Sequence, residues 1–417
     1  MPLENEGTAL MFSVVCVAIT ILKQHRIRGM AKKCVQSLLL CVIGLSVCAP
    51  DASATECDQF VAWVHPAKTA YMQAHQVYPV PVDIQRLAVR YMPRIWVHPD
   101  SWQPISFDQY LARSKLVSNI DGRTLMVSPQ PKDVAALKYE DQCGTFLEAG
   151  EIEPAKPAPL YVQVFRDRSP VKPHENWIYV KYNPVFDWSG LANKVSRLAS
   201  LGSRLAGGDQ KRWHRLDVHT AAILAFDSHR QLRLLTLAQH NHQATYIPGQ
   251  DFPVDQVPLL AAAFQSNELY LDRGESTPVH HRVVPFFNDV SYLIDADERP
   301  WLWAQDLVHG RHAGGKEVEF YPVFLEPEHP LADFAGLLAP PRKALGMYIG
   351  RDGPPGNNYY APPNYFHLPD FMAMGYWQAG NQDLLGELAP FIKGLDDTDW
   401  DGMLMVFRKK LRSALEN

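Results

Sequence analysis

Two runs, LDVHTAAILAFD (residues 216–227) and QLRLLTLAQHNH (residues 231–242), constrain the fold of this 417-residue chain more than any other feature. Both are long, rich in apolar residues and joined by only Ser228-His229-Arg230, a pattern that predicts a β-hairpin. PLYVQVFRD (159–167) and WIYVKYNP (177–184) are β-branched and aromatic and predict two further strands. Shorter strand-like pieces follow in ELYLDR, HHRVVPFF and VEFYPVF. The fold class expected is mostly β (α+β), an antiparallel β-sandwich with helical additions at both ends. The helices are expected over 83–93, capped by Asp83, and over 381–394 and 398–414.

The hairpin also carries the chemistry. Residues i and i+2 of a strand share a face, so Asp217 and His219 point one way, as do His240 and His242 on the return strand. A loop with an even number of residues sets 219 opposite 240 and 217 opposite 242, with Ala221 and Ala238 as the next pair on that face. An odd loop scatters the cluster. His214 extends the candidate set. Imidazoles with one carboxylate suit a divalent metal ion, Zn²⁺ or a similar transition ion ahead of Mg²⁺ or Ca²⁺. The structural alternative is a group of half-buried histidines hydrogen-bonded to their neighbours. His280-His281 and the His309/His312 pair are read as surface or core histidines rather than ligands.

The N-terminus reads as a leader. Met30 precedes Lys32 and Lys33, the apolar run LLLCVIGLSVC and the small-residue triplet Ala52-Ser53-Ala54, which predicts a signal peptide cut after Ala54, with Met30 as the true start. Export, periplasmic or secreted, is expected ahead of a membrane anchor. Cleavage removes Cys16, Cys34, Cys41 and Cys48 and leaves Cys57 and Cys143, which predicts one disulfide between them ahead of the alternative of two free buried thiols. It also removes 5 of the 40 Lys and Arg and 3 of the 45 Asp and Glu, leaving a net charge of −7. An acidic chain argues against nucleic acid as a partner.

Four regions are expected: the leader 1–54, a helical and extended segment 55–150, a β-sandwich core 151–345, and 346–417 with an aromatic loop and helices packed on the core. Pro, Ala and Glu crowd residues 149–159 and mark the border of the core. Residues 189–207 place Leu191, Val195, Leu198, Leu201 and Leu205 at helical spacing, with Lys194, Arg197 and Arg204 on the polar side. Such a helix packs on its domain or contacts a membrane surface.

Trp213-His214-Arg215-Leu216-Asp217-Val218-His219 resembles the Gly-His-Arg-His-Asp-Trp-Glu heptapeptide of the necrosis-inducing cytolysins and the related vacuolar-sorting-like proteins. His214, Arg215 and Asp217 match, and His219 stands where the family has Glu. The resemblance extends over residues 88–290. It implies a β-sandwich, a divalent ion held in part by His214 and Asp217, and activity at membranes. It also makes Asp187, at the end of WIYVKYNPVFD, a ligand, and His240 of LAQHNH a functional histidine.

G-x-S-x-G, Walker and H-E-x-x-H motifs are absent from the sequence. The function expected is an exported β-sandwich protein with a divalent-metal site of unknown activity; if it is an enzyme, the ion would serve metal-assisted hydrolysis. The alternative is a membrane- or envelope-binding module in which the ion is structural.

Overall fold

A computed structural model describes residues 76–118, 121–142, 144–166, 177–197, 200–201, 210–218, 220–238, 243–254, 256–283, 291–293, 303–334, 336–344 and 347–351. The leader, Cys57, Cys143, His219, His240, His242, the aromatic loop and the C-terminal helices lie outside the described residues, as does the side chain of His214. Strands hold 43 % of the described residues and helices 14 %, so the chain is mostly β. Among the described residues no helix is long and apolar enough to cross a membrane.

A six-stranded sheet runs in the order Gln243–Tyr246, Leu232–Ala238, Ala221–Phe226, Ile178–Asn183, Ala158–Arg166, Phe320–Phe324. Every residue of Ile178–Asn183 and Ala221–Phe226 is buried, and all but Arg166 of Ala158–Arg166. Burial on both faces explains why these strands read as nearly continuous apolar runs rather than alternating ones. Phe320–Phe324 joins the sheet parallel to Ala158–Arg166, so the sheet is mixed. Strands this distant in sequence are free of the hairpin constraint that makes neighbours antiparallel.

The expected hairpin forms, and Ala221 lies opposite Ala238. The route to that register is indirect. Asp227 pairs with Gln231 around a three-residue loop, in which Asp227 Oδ1 accepts from His229 N and Gln231 N and Arg230 adopts φ +62°. A bulge between Ala225 and Phe226 then shifts the ladder by one residue. The first run is also interrupted. Leu216 takes φ +52°, and His214–Asp217 leaves the large sheet to pair with Phe186–Ser189. Asn183 Nδ2 donates to the carbonyls of Val218 and Thr220 across the break.

Two four-stranded sheets complete the part that matters for the site. One has the order Leu269–Leu271, Leu259–Ala262, Arg94–Val97, Lys316–Glu317; the other Ser291–Leu293, Ser276–Val283, Trp303–His309, Lys194–Val195. They meet where Ala263 bridges Val308 and Phe264 N donates to the Leu307 carbonyl at 2.8 Å. A single apolar cluster draws Leu160, Val162, Val180 and Leu224 from the large sheet and Ile95, Leu260 and Leu269 from the first of these. The helix expected over 83–93 runs from Val82 to Arg90, with Pro81 at its N-cap and Asp83 inside its first turn rather than capping it; Ile84 and Ala88 are its buried residues.

The start of the expected 189–207 helix is extended instead: Lys194 and Val195 pair with Gln305 and Ala304. The available ladder outweighs local helical spacing, and β-branched Val195 suits a strand. Gly190 fixes how that segment enters. Its N–H donates to the Gln265 carbonyl at 2.7 Å, and a Cβ there would lie 2.8 Å from the Gln210 carbonyl oxygen and 3.0 Å from Gln265 Cβ. Gly190→Ala is expected to destabilise the fold by about 1–3 kcal/mol through this overpacking. A thermal midpoint equal to wild type would contradict the close approach.

Candidate metal centre

Residues 265–268 form a turn between Leu259–Ala262 and Leu269–Leu271, and they serve two buried polar centres at once. Gln265 and Asn267 adopt φ +71° and +61°, and Asn267 N donates to the Ala263 carbonyl. This geometry sends Asn267 one way and Ser266 with Glu268 the other.

The first centre holds the sequence-predicted Asp217. Its side chain is fully buried, and Asn267 Nδ2 donates to Asp217 Oδ2 at 2.9 Å and to the Trp188 carbonyl at 2.8 Å. Asp187 engages a different partner: Arg215 Nη2 lies 2.7 Å from its Oδ1. That contact is close but not directed as a hydrogen bond, and Arg215 Nε has no hydrogen-bond partner among the described residues. Arg215 also donates to the Gly150 carbonyl and stacks over Trp188 and Tyr110, at 4.8 and 5.8 Å from the ring centroids. Arg212 continues the column over Trp188 and Trp102. Burial pushes the Asp187 carboxyl up to about 6, against the opposing pull of Arg215. Asp187 and Asp217 therefore sit on one ladder yet are held by a guanidinium and an amide respectively.

The second centre contains none of the predicted ligands. Glu268, His281 and Asp306 are buried, and ligand-type atoms from the three lie within 4.8 Å of one another. His281 comes from Ser276–Val283 and Asp306 from Trp303–His309. Asp306 pairs with Val279 and His281 with Ala304, so both project from one face as diagonal neighbours. Glu268 and Tyr270, two residues apart, face them from the other sheet. Tyr270 Oη lies 2.9 Å from Glu268 Oε2, 3.0 Å from His281 Nε2 and 2.8 Å from Asp306 Oδ2. His281 Nε2 is 3.0 Å from Asp306 Oδ2, and Ser266 Oγ donates to Asp306 Oδ1 at 2.6 Å.

Tyr270 has one proton to share between two carboxylates, and His281 Nε2 brings at most one to Asp306 Oδ2. Burial would raise the Asp306 carboxyl, but hydrogen bonds from His281, Ser266 and Tyr270 and the His281 charge hold it well below the usual range. Burial works against charging His281, yet Asp306 and Glu268 raise it on balance. The Tyr270 hydroxyl is pushed well up, by burial first and then by the two carboxylates.

Ser266 and Glu268 reach this centre from the polar turn 265–268 and Tyr270 from the strand Leu269–Leu271 that follows, a run without an alternation that would mark the centre in the sequence. His281 belongs to the pair already noted, and Asp306 is a lone acid in WAQDLVH. Comparison of the chain with known protein families, curated proteins and solved structures finds no match.

Proposed function

We propose that this is a metal-binding β protein whose ion is held between Glu268, His281 and Asp306 and ties two sheets together. The observation that carries this is the trio of buried ligand-type atoms within 4.8 Å. Two carboxylates and a neutral imidazole balance a divalent ion, and the mixed nitrogen and oxygen donors suit Zn²⁺ or a similar transition ion. The ligand residues are at most 6 % exposed, which favours a structural ion over a hydrolytic one that keeps an open position. This centre, rather than the 214–242 set, is our first candidate for the ion.

The same proposal includes an exported protein with residues 1–54 as its leader and a sandwich arrangement like that of the cytolysins. The apolar cluster shared between the large sheet and the Arg94–Val97 sheet supports the sandwich. Elemental analysis of untagged protein tests the metal reading. About one ion per chain is expected, lost in Glu268→Gln/His281→Gln and kept in Asp217→Asn. A metal-free, stably folded wild type overturns it.

A further inference from the structure

We propose that Tyr270 is a fourth ligand of this centre and that the complete set takes ferric iron. The inference rests on the metal-binding reading and carries it from a divalent ion to a trivalent one. Tyr270 Oη is nearly equidistant, at 2.8–3.0 Å, from Glu268 Oε2, His281 Nε2 and Asp306 Oδ2. Spacings of 2.8–3.0 Å are those of neighbouring donor atoms around one ion, so the phenol oxygen is placed to share an ion with the other three. Coordinated as a phenolate, Tyr270 would join Glu268 and Asp306 in a set of three negative charges, to which His281 adds a neutral nitrogen. A trivalent ion brings the buried group to neutrality, which a low-dielectric interior demands.

The donor types narrow the choice of ion. Carboxylate and phenolate oxygens are hard donors, whereas imidazole suits iron, zinc, copper and nickel. Ferric iron satisfies both requirements. Binding is a ligand exchange without electron transfer: the Fe–O bond forms, the Tyr270 O–H bond breaks, and the proton passes to buffer. Ser266, donating to Asp306 Oδ1, leaves Asp306 Oδ2 for the ion and acts as a positioning residue.

The test is loading of chelator-stripped, untagged full chain with ferric nitrilotriacetate or, separately, with zinc. Wild type is expected to take up about one iron per chain and to show a visible phenolate-to-iron charge-transfer band. Resonance Raman excitation in that band should enhance tyrosinate ring modes. Tyr270→Phe is expected to keep its zinc and its far-ultraviolet circular dichroism, lose the band, and bind ferric iron at least about tenfold more weakly. Iron uptake by wild type without tyrosinate modes overturns the proposal even if Tyr270→Phe fails to fold. A band that survives in a folded Tyr270→Phe does so as well. Zinc uptake without iron uptake overturns this inference and leaves the metal-binding reading standing. Uptake of neither ion overturns both.

Discussion

Asp306→Ala should cost about 3–5 kcal/mol of stability, the range for breaking one member of a buried ionic group. Asp306 is 1 % exposed and accepts from Ser266, Tyr270 and His281. Alanine removes an acceptor from each of the three and leaves Glu268 as the one carboxylate of the trio beside His281. It also cuts the link between Trp303–His309 and the turn carrying Glu268, the position at which two sheets are joined. The measurement is the denaturant midpoint at constant slope, since a changed slope would report a changed unfolded or native ensemble instead. A loss under about 1 kcal/mol, the size expected of an exposed pair, would mean that Asp306 is hydrated.

Arg215→Met should cost a similar amount, about 3–5 kcal/mol, for a different reason. Methionine fills much of the space between Trp188 and Tyr110 but leaves Asp187 buried without its cation. The pH dependence distinguishes this from simple loss of packing. The Asp187 carboxyl is raised in the folded chain to about 6 from an ordinary 3.8. A raised acid binds its proton more tightly when folded, so its contribution to stability is fully present below pH 3.8 and is lost as pH rises through 6. Removing Arg215 pushes the carboxyl higher still. The variant should therefore lie closest to wild type near the lower of those two values and furthest from it at neutral pH. A deficit that is constant across this window would assign the cost of the substitution to packing alone.

The strands around 159–167 and 177–184 were legible because β-branched and aromatic residues crowd them, and the structure has strands at Ala158–Arg166 and Ile178–Asn183. The hairpin register was legible only by coincidence of two errors of opposite sign. The loop holds three residues, an odd number that by itself slips the register, and the bulge at Ala225/Phe226 restores it. Neither feature leaves a mark in local hydrophobicity. The break at Leu216 was hidden too, because LDVHTAAILAFD continues without glycine or proline through a residue at φ +52°. The buried group was beyond reach for a deeper reason. His281 and Asp306 are neighbours through the pairing of their two strands, and Glu268 joins them where Ala263 bridges Val308 and Phe264 N donates to the Leu307 carbonyl, contacts that no spacing in one segment encodes. The polar run 265–268 reads as a turn, and nothing in its spacing sets Ser266 and Glu268 apart from Gln265 and Asn267.

The parallel ladder between Ala158–Arg166 and Phe320–Phe324 sets a clock on the birth of this protein. The edge of residues 158–162 that faces this ladder cannot be paired until about 160 further residues have been polymerised, roughly 10–30 s at ordinary rates of synthesis. Arg94–Val97 waits in the same way for Leu259–Ala262. A nascent chain built like this carries unsatisfied strand edges throughout its elongation, which makes it a natural client for holding chaperones.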